Sequence, residues 1–186
     1  MIAVYRKPIA PVLSASGFTG NPQSIPLRRT LGTMQITLAH IGTRTQRSGA
    51  KAAFETLTSM YVERVQPYHP MRTELFRSED ELLAWFARQH GRAAATLVLA
   101  DSRGRPLSSA EFAAWVGARR DAGAQHLVFA IGPPDGWSAA ARSQALLQLS
   151  FGALTLAHEL ARLVAAEQIY RACTILAGHP YHTSHK

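Results

Sequence analysis

Two short runs, TLVLA at 96–100 and HLVFAI at 126–131, are apolar at nearly every position rather than at every second one. A strand of that kind has to be covered on both faces, which a sheet with one wet side does not provide. Parallel strands also need long crossover connections, usually helical, so the runs point to an α/β layer architecture. The flanking sequence fits. MQITLAHIG (34–42) and MRTELF (71–76) predict strands, and 46–65 predicts a helix with Phe54, Leu57 and Tyr61 on one face. In SEDELLAWFARQHG, Ser78 and Glu81 have capping-box spacing and Gly91 can end the helix in a left-handed conformation. The same grammar recurs in SSAEFAAWVGARRDAG, with Ser108, Glu111 and Gly123. A further strand is expected in LLQLSFG (146–152), then a long helix from about Ala157 to Leu176. The expected fold is α/β, a mostly parallel sheet with helices on both faces.

With 186 residues, 47% of them hydrophobic and 17% charged, the chain suits one packed domain. Its apolar runs fall short of the ~20 residues a membrane-spanning helix needs, and no charged-then-greasy signal opens it. A soluble, cytoplasmic protein that does not engage a membrane is expected. The single cysteine, Cys173, excludes an internal disulfide and reads as a buried, inert thiol. The net charge of +8 invites nucleic acid as a partner. Half of that excess, Arg6, Lys7, Arg28 and Arg29, lies in the acid-free segment 1–33, which leaves a mildly basic body. Prolines at 8, 11, 22 and 26 would break the amphipathic helix of a transit peptide. Residues 1–33 therefore read as a disordered basic leader or a mis-assigned start at Met34, ahead of a domain spanning 34–186.

In open parallel sheets ligands collect at the carboxyl ends of the strands. The loops to inspect are ADSRGRPLSS (100–109), GPPDGWS (132–138) and GALTLAHE (152–159). The chain closes on AGHPYHTSHK (177–186), which holds His179, Tyr181, His182 and His185. A metal site there would want a further Cys, Asp or Glu, and none follows Cys173, so no metal is expected. The other readings are a frayed end and a catalytic strap.

Taken in order, LADSRGR, IGPPDG, LTLAHE, EQIYRA (167–172) and HPYHTSHK resemble the ribosomal RNA large subunit methyltransferase H family, a minimal branch of the SPOUT methyltransferases. The likeness spans roughly 34–186. It implies a C-terminal trefoil knot, a homodimer, S-adenosylmethionine as methyl donor, and as substrate a pseudouridine of 23S ribosomal RNA in the large ribosomal subunit, methylated at N3. Carried over by position, the donor pocket comprises Ala100, Gly132, Phe151, Gly152, Ala153, Leu154, Thr155 and Leu156, and the catalytic, RNA-facing side comprises Arg171, Tyr181 and His182. The family usually has glycine where this chain has Pro133 and leucine where it has Ala100.

Methyl transfer from a sulfonium is an in-line displacement, so the protein mainly has to align the reactants and exclude water. Gly132, Gly136 and Gly152 let main chain approach a ligand, while Leu154 and Leu156 can wall it. The acceptor nitrogen must lose a proton, a task for His182 or Tyr181, and Arg171 can favour the ring anion. The plainer alternative makes Arg171 an i,i+4 partner of Glu167. His158 reads as a helix-start or core residue. Two other functions stay open: a non-catalytic RNA-binding module whose donor binding Pro133 impairs, and a metal-dependent hydrolase using the tail.

Overall fold

The structure, a computed structural model, describes residues 33–43, 49–90, 95–179 and 181. All but the last residue of the leader expected at 1–33, the start of the first helix at 46, the Gly91 cap, and His182 and His185 lie outside them. The elements run β1 (Gln35–Ile41), α1 (Gly49–Val65), β2 (Met71–Phe76), α2 (Glu79–His90), β3 (Ala95–Pro106), α3 (Ser109–Asp121), β4 (His126–Ile131), α4 (Ala139–Gln144), β5 (Leu147–Ser150) and α5 (His158–Leu176). The five strands form one parallel sheet in the order β2-β1-β4-β3-β5. The expected α/β sandwich is the one found.

The continuous apolar runs explain the layering. Along β4, Leu127, Phe129 and Ile131 join a core with α1, α3 and α5, while Val128 and Ala130 join a second core with α2 and α4. β1 divides the same way, Ile36 and Leu38 against Ala39 and Ile41. Both of these strands alternate between two dry faces. Phe129, with no exposed surface, meets Phe112 edge-on at 6.0 Å and stacks with Phe151 at 6.2 Å between centroids. The sheet's centre is thereby tied to the loop after β5.

The caps follow the sequence. Ser108 and Glu111 form the reciprocal box at α3. At α2, Ser78 Oγ accepts from Glu81 N–H, but the Glu81 carboxylate reaches one residue further, to Arg77 N–H. Gly123, at φ +87°, closes α3: its N–H donates to the Arg120 carbonyl, and that of Ala124 to Arg119. Gly178 ends α5 with the same pair of bonds, from its own N–H to Ile175 and from His179 to Thr174. That turn redirects the chain into its tail.

Two elements differ from expectation. Residues 101–106, read as loop, continue β3: after a register shift between Ala100 and Arg105, Arg105 pairs with Leu149 and Pro106 with Ser150. Gly104 permits this, since a Cβ there would lie 2.6 Å from the Gln148 carbonyl carbon. The short helix α4 was read as part of a loop. Its only start signal is Ser138, whose Oγ accepts from Ala141 N–H at 3.1 Å, and its one buried residue is Ala141.

Candidate functional site

The middle of β3, at Ala100–Arg103, and the segments that follow β4 and end β5 surround a cavity of about 690 Å³. Of the eight residues expected in a donor pocket, Ala100, Gly132, Phe151, Gly152, Leu154, Thr155 and Leu156 line it. Ala153 does not; it is exposed on the same loop. Leu154 borders the mouth with 82% of its surface exposed, so in this chain by itself it is an open flap rather than a packed wall.

The cavity's shape depends on Trp137, which the sequence reading passed over. Its indole is buried, and Nε1–H donates to the Ala100 carbonyl at 2.8 Å, joining the β4 loop to β3. Gly132 is glycine because that ring lies against it: an added Cβ would sit 2.7 Å from Trp137 Cε2. Its freedom of φ is not the point. Gly136, at φ +82°, does use that freedom, and its N–H donates to the Pro133 carbonyl at 3.0 Å. Proline at 133 therefore keeps the turn and removes only its own amide.

Two more residues went unassigned from sequence. The buried carboxylate of Asp101 accepts from Arg142 Nε at 2.8 Å and from Arg103 N–H at 3.0 Å, which fixes the rim beside the Pro133–Gly136 turn. Ser150 Oγ accepts from Gly152 N–H at 3.2 Å and donates to the Gly152 carbonyl at 3.0 Å, holding that glycine at φ +119°. The signals were present, an acid inside a basic loop and a serine two residues before a glycine. Neither pattern specifies a partner without the fold.

Arg171 and Tyr181 come together elsewhere, on the second half of α5. Arg171 Nη2 and Nε donate to Glu167 Oε1 at 2.6 and 3.0 Å, and the Tyr181 hydroxyl donates to the same oxygen at 3.3 Å. The Tyr181 ring meets Tyr170 edge-on at 4.8 Å, with the Arg171 guanidinium 5.1 Å from its centroid. Partial burial works against the Arg171 charge, but the hydrogen bond and charge of Glu167 outweigh it and hold the cation. Burial, a hydrogen bond with Tyr61 and the Glu167 charge push the Tyr181 phenol up, so it remains protonated at neutral pH. Neither residue borders the cavity of its own chain. The Glu167 pairing anticipated as the plainer role for Arg171 is present.

A family profile described as "Predicted SPOUT methyltransferase" matches residues 34–182. The chain belongs to the SPOUT methyltransferases. Among relatives of this SPOUT chain, the ribosomal RNA large subunit methyltransferase H of Koribacter versatilis (strain Ellin345) is 47% identical over 135 residues, covering 73% of this chain and 92% of that one. The protein of the same name from Brucella ovis is 57% identical over 90 residues, 48% of this chain and 53% of the relative. Among solved structures, the SpoU methyltransferase AviRb of Streptomyces viridochromogenes in complex with AdoMet aligns at a TM-score of 0.45 and 14% identity, covering 79% of this chain and 59% of that one.

Among the described residues, no three His, Cys, Asp or Glu side chains are grouped to hold a metal ion. No described helix is long and apolar enough to cross a membrane. Cys173 is buried, and burial pushes its thiol up to about 12.

Proposed function

We propose that this SPOUT methyltransferase uses S-adenosylmethionine to methylate N3 of a pseudouridine in 23S ribosomal RNA of the large ribosomal subunit. One observation carries the donor half of the reading: seven residues from three separated segments, selected from sequence, border a single cavity of about 690 Å³. That volume lies within the ~300–1,000 Å³ typical of small-molecule sites. The lining suits a nucleoside joined to an amino acid. Leu149, Phe151 and Leu156 offer apolar surface, and the loops offer main-chain donors and acceptors around Gly132 and Gly152. The acceptor half draws support from the names of the relatives.

When bound, the donor supplies an already activated methyl group on a sulfonium, so no metal is required. The chain's residues orient and exclude water: Trp137 fixes the β3 and β4 loops, and Phe151 closes the floor through its stack on Phe129. On the acceptor side Arg171 keeps its positive charge to favour the ring anion, Tyr181 acts as a neutral hydrogen-bond donor, and His182 takes the ring proton.

The reading includes a homodimer. Arg171 and Tyr181 lie off their own chain's cavity, which is what an acceptor group reaching a second copy's donor pocket would require. It also includes residues 34–186 as the methyltransferase domain, a cytoplasmic location alongside ribosomes, and a C-terminal trefoil knot.

Calorimetry with S-adenosylmethionine, followed by transfer of a labelled methyl group to large ribosomal subunits lacking the modification, tests the whole. Binding and incorporation at the pseudouridine are expected. RNA affinity without donor affinity would select instead the non-catalytic binding module, for which the amide missing at Pro133 is the specific ground.

A further inference from the structure

The Glu167 carboxylate is shared between two sets of partners. Its Oε1 accepts from Arg171 Nε and Nη2 at 3.0 and 2.6 Å and from the Tyr181 hydroxyl at 3.3 Å, while its Oε2 accepts from Gln168 Nε2 at 2.6 Å. Gln168 is itself tied across the fold: its Oε1 accepts from the hydroxyl of Ser109, 59 residues earlier in the chain, at 2.8 Å. A continuous series of hydrogen bonds therefore runs from Ser109, the first residue of α3, through Gln168 and Glu167 to Arg171 and Tyr181. The start of α3 is capped by Ser108 and Glu111, so the Ser109 hydroxyl is not spent there.

A glutamate and an arginine one helical turn apart attract each other by only a few tenths of a kcal/mol and, when exposed, rarely hold one geometry. Glu167 and Arg171 keep 18% and 30% of their side chains exposed, so burial alone does not fix them. The bond to the second oxygen does. With Oε2 held by Gln168, the carboxylate cannot turn without breaking a hydrogen bond, and bonds in series strengthen one another. The Arg171 guanidinium and the Tyr181 ring, 5.1 Å apart, are oriented with it. Ser109 and Gln168 also border a second cavity of about 380 Å³, and Leu149, Phe151 and Gly152 line both this cavity and the larger one. The series is thus anchored beside the wall that the two cavities share.

We propose that Gln168, braced by Ser109, is a positioning residue for the acceptor side of the methyl transfer: it holds the second oxygen of Glu167 and so fixes where the Arg171 guanidinium and the Tyr181 hydroxyl stand. The brace is a property of the ligand-free chain; its consequence for transfer rests on the acceptor role given to Arg171 and Tyr181 above. Gln168 and Ser109 act through Glu167 and are assigned no contact with the pseudouridine or the donor.

Gln168→Met keeps the side-chain length and removes both amide bonds, whereas Ser109→Ala removes only the brace. Nuclear magnetic resonance reads the exchange of Arg171 Nε–H on the ligand-free full chain. Single-turnover transfer from S-adenosylmethionine to large ribosomal subunits lacking the modification reads the consequence, with donor affinity by calorimetry beside it. Loss of one bond in the series corresponds to roughly five- to tenfold faster Nε–H exchange and slower transfer in either variant. S-adenosylmethionine affinity and the exchange of β4 amides should stay at wild-type values. In a Gln168→Met background Ser109→Ala should add nothing, because the hydroxyl acts through the amide, and Ser109→Thr, which keeps the hydroxyl, should match wild type. Ser109→Ala decides by itself if Gln168→Met does not fold. Unchanged Arg171 exchange, transfer that is unchanged or faster, a parallel loss of protection across the β4 amides, threonine behaving as alanine, or additive effects in the double variant overturn the proposal. If exchange follows the expected pattern while wild type transfers no methyl group, the brace stands and the acceptor reading falls.

Discussion

Replacing Gly132 by alanine tests whether the β4 loop is held by contact with Trp137. The added Cβ would meet Trp137 Cε2 at 2.7 Å and Nε1 at 2.9 Å, whereas ordinary contact begins at 3.4 Å, so the ring has to withdraw by about 0.7 Å. The ring cannot easily retreat: it is buried, and Nε1 is committed to the Ala100 carbonyl. Overpacking of this kind costs ~1–3 kcal/mol, and loosening the indole hydrogen bond adds ~1 kcal/mol. Alanine also stiffens the unfolded chain, which offsets ~0.4–1 kcal/mol. The net loss is ~1–3.6 kcal/mol, a fall in Tm of roughly 2–14 °C for a chain of this size. Since the displaced ring bridges two walls of the cavity, S-adenosylmethionine affinity should fall about tenfold, which corresponds to ~1.4 kcal/mol. Thermal unfolding by circular dichroism and calorimetry read the two effects. In a Trp137→Phe background the smaller ring leaves space, and the same substitution should cost under ~1 kcal/mol, a coupling that a double-mutant cycle resolves. Wild-type Tm and affinity in Gly132→Ala, or equal costs in both backgrounds, would refute the reasoning.

Gly104→Val should be harsher than Gly132→Ala, because its Cβ meets Gln148 backbone at 2.6 Å and not a side chain; a urea titration should show a loss above ~3 kcal/mol and a β3–β5 ladder opened at Arg105. Acid should destabilise the fold through its buried histidines. Burial and Arg162 lower His40 from 6.5 to about 4, so between those pH values the unfolded chain takes up a proton that the folded one refuses. Stability then falls with pH across that window, and His40→Ala should flatten the slope seen in denaturant titrations at stepped pH. His182→Ala should lower methyl-transfer turnover by ~10²–10⁴-fold with S-adenosylmethionine affinity unchanged, as checked by single-turnover kinetics and calorimetry. The reverse pattern would place His182 on the donor side.

The fold was legible where one local signal sufficed. Apolar runs such as HLVFAI have a single economical use, a strand with both faces dry, and Ser108 with Glu111 and Gly123 marks both ends of a helix without reference to anything distant. What escaped depends on pairing across the sheet. Nothing within SRGRP announces a strand, because its extension is set by the approach of Gln148 and Leu149 to Gly104 and Arg105. α4 escaped because six residues with one buried alanine have no period to detect. The leader, the Gly91 cap and His182 fall outside the described residues.

The site divides along the same line. Seven of the residues read as a donor pocket border one cavity, since segments that follow buried strands are visible in sequence order. Residues that hold those segments in place are not. Trp137, Asp101 and Ser150 carry no sign of a role in sequence, because an indole donating to Ala100, a carboxylate accepting from Arg142 and a hydroxyl bonding Gly152 are long-range or context-bound choices. His158 reads as a helix start, which it is, and it also borders the cavity, which its place in the sequence does not announce. The remaining asymmetry is between halves of the site. The residues proposed for the donor converge on one cavity within one chain, whereas Arg171 and Tyr181 are satisfied by Glu167 and Tyr170 away from it. An acceptor group so placed can act only if a second donor pocket comes to it or the tail carries it across. A Glu167→Gln substitution separates these cases. It weakens the anchor of Arg171 and Tyr181, so a tail that must detach should turn over faster, whereas a site assembled between two copies should turn over more slowly with unchanged donor affinity.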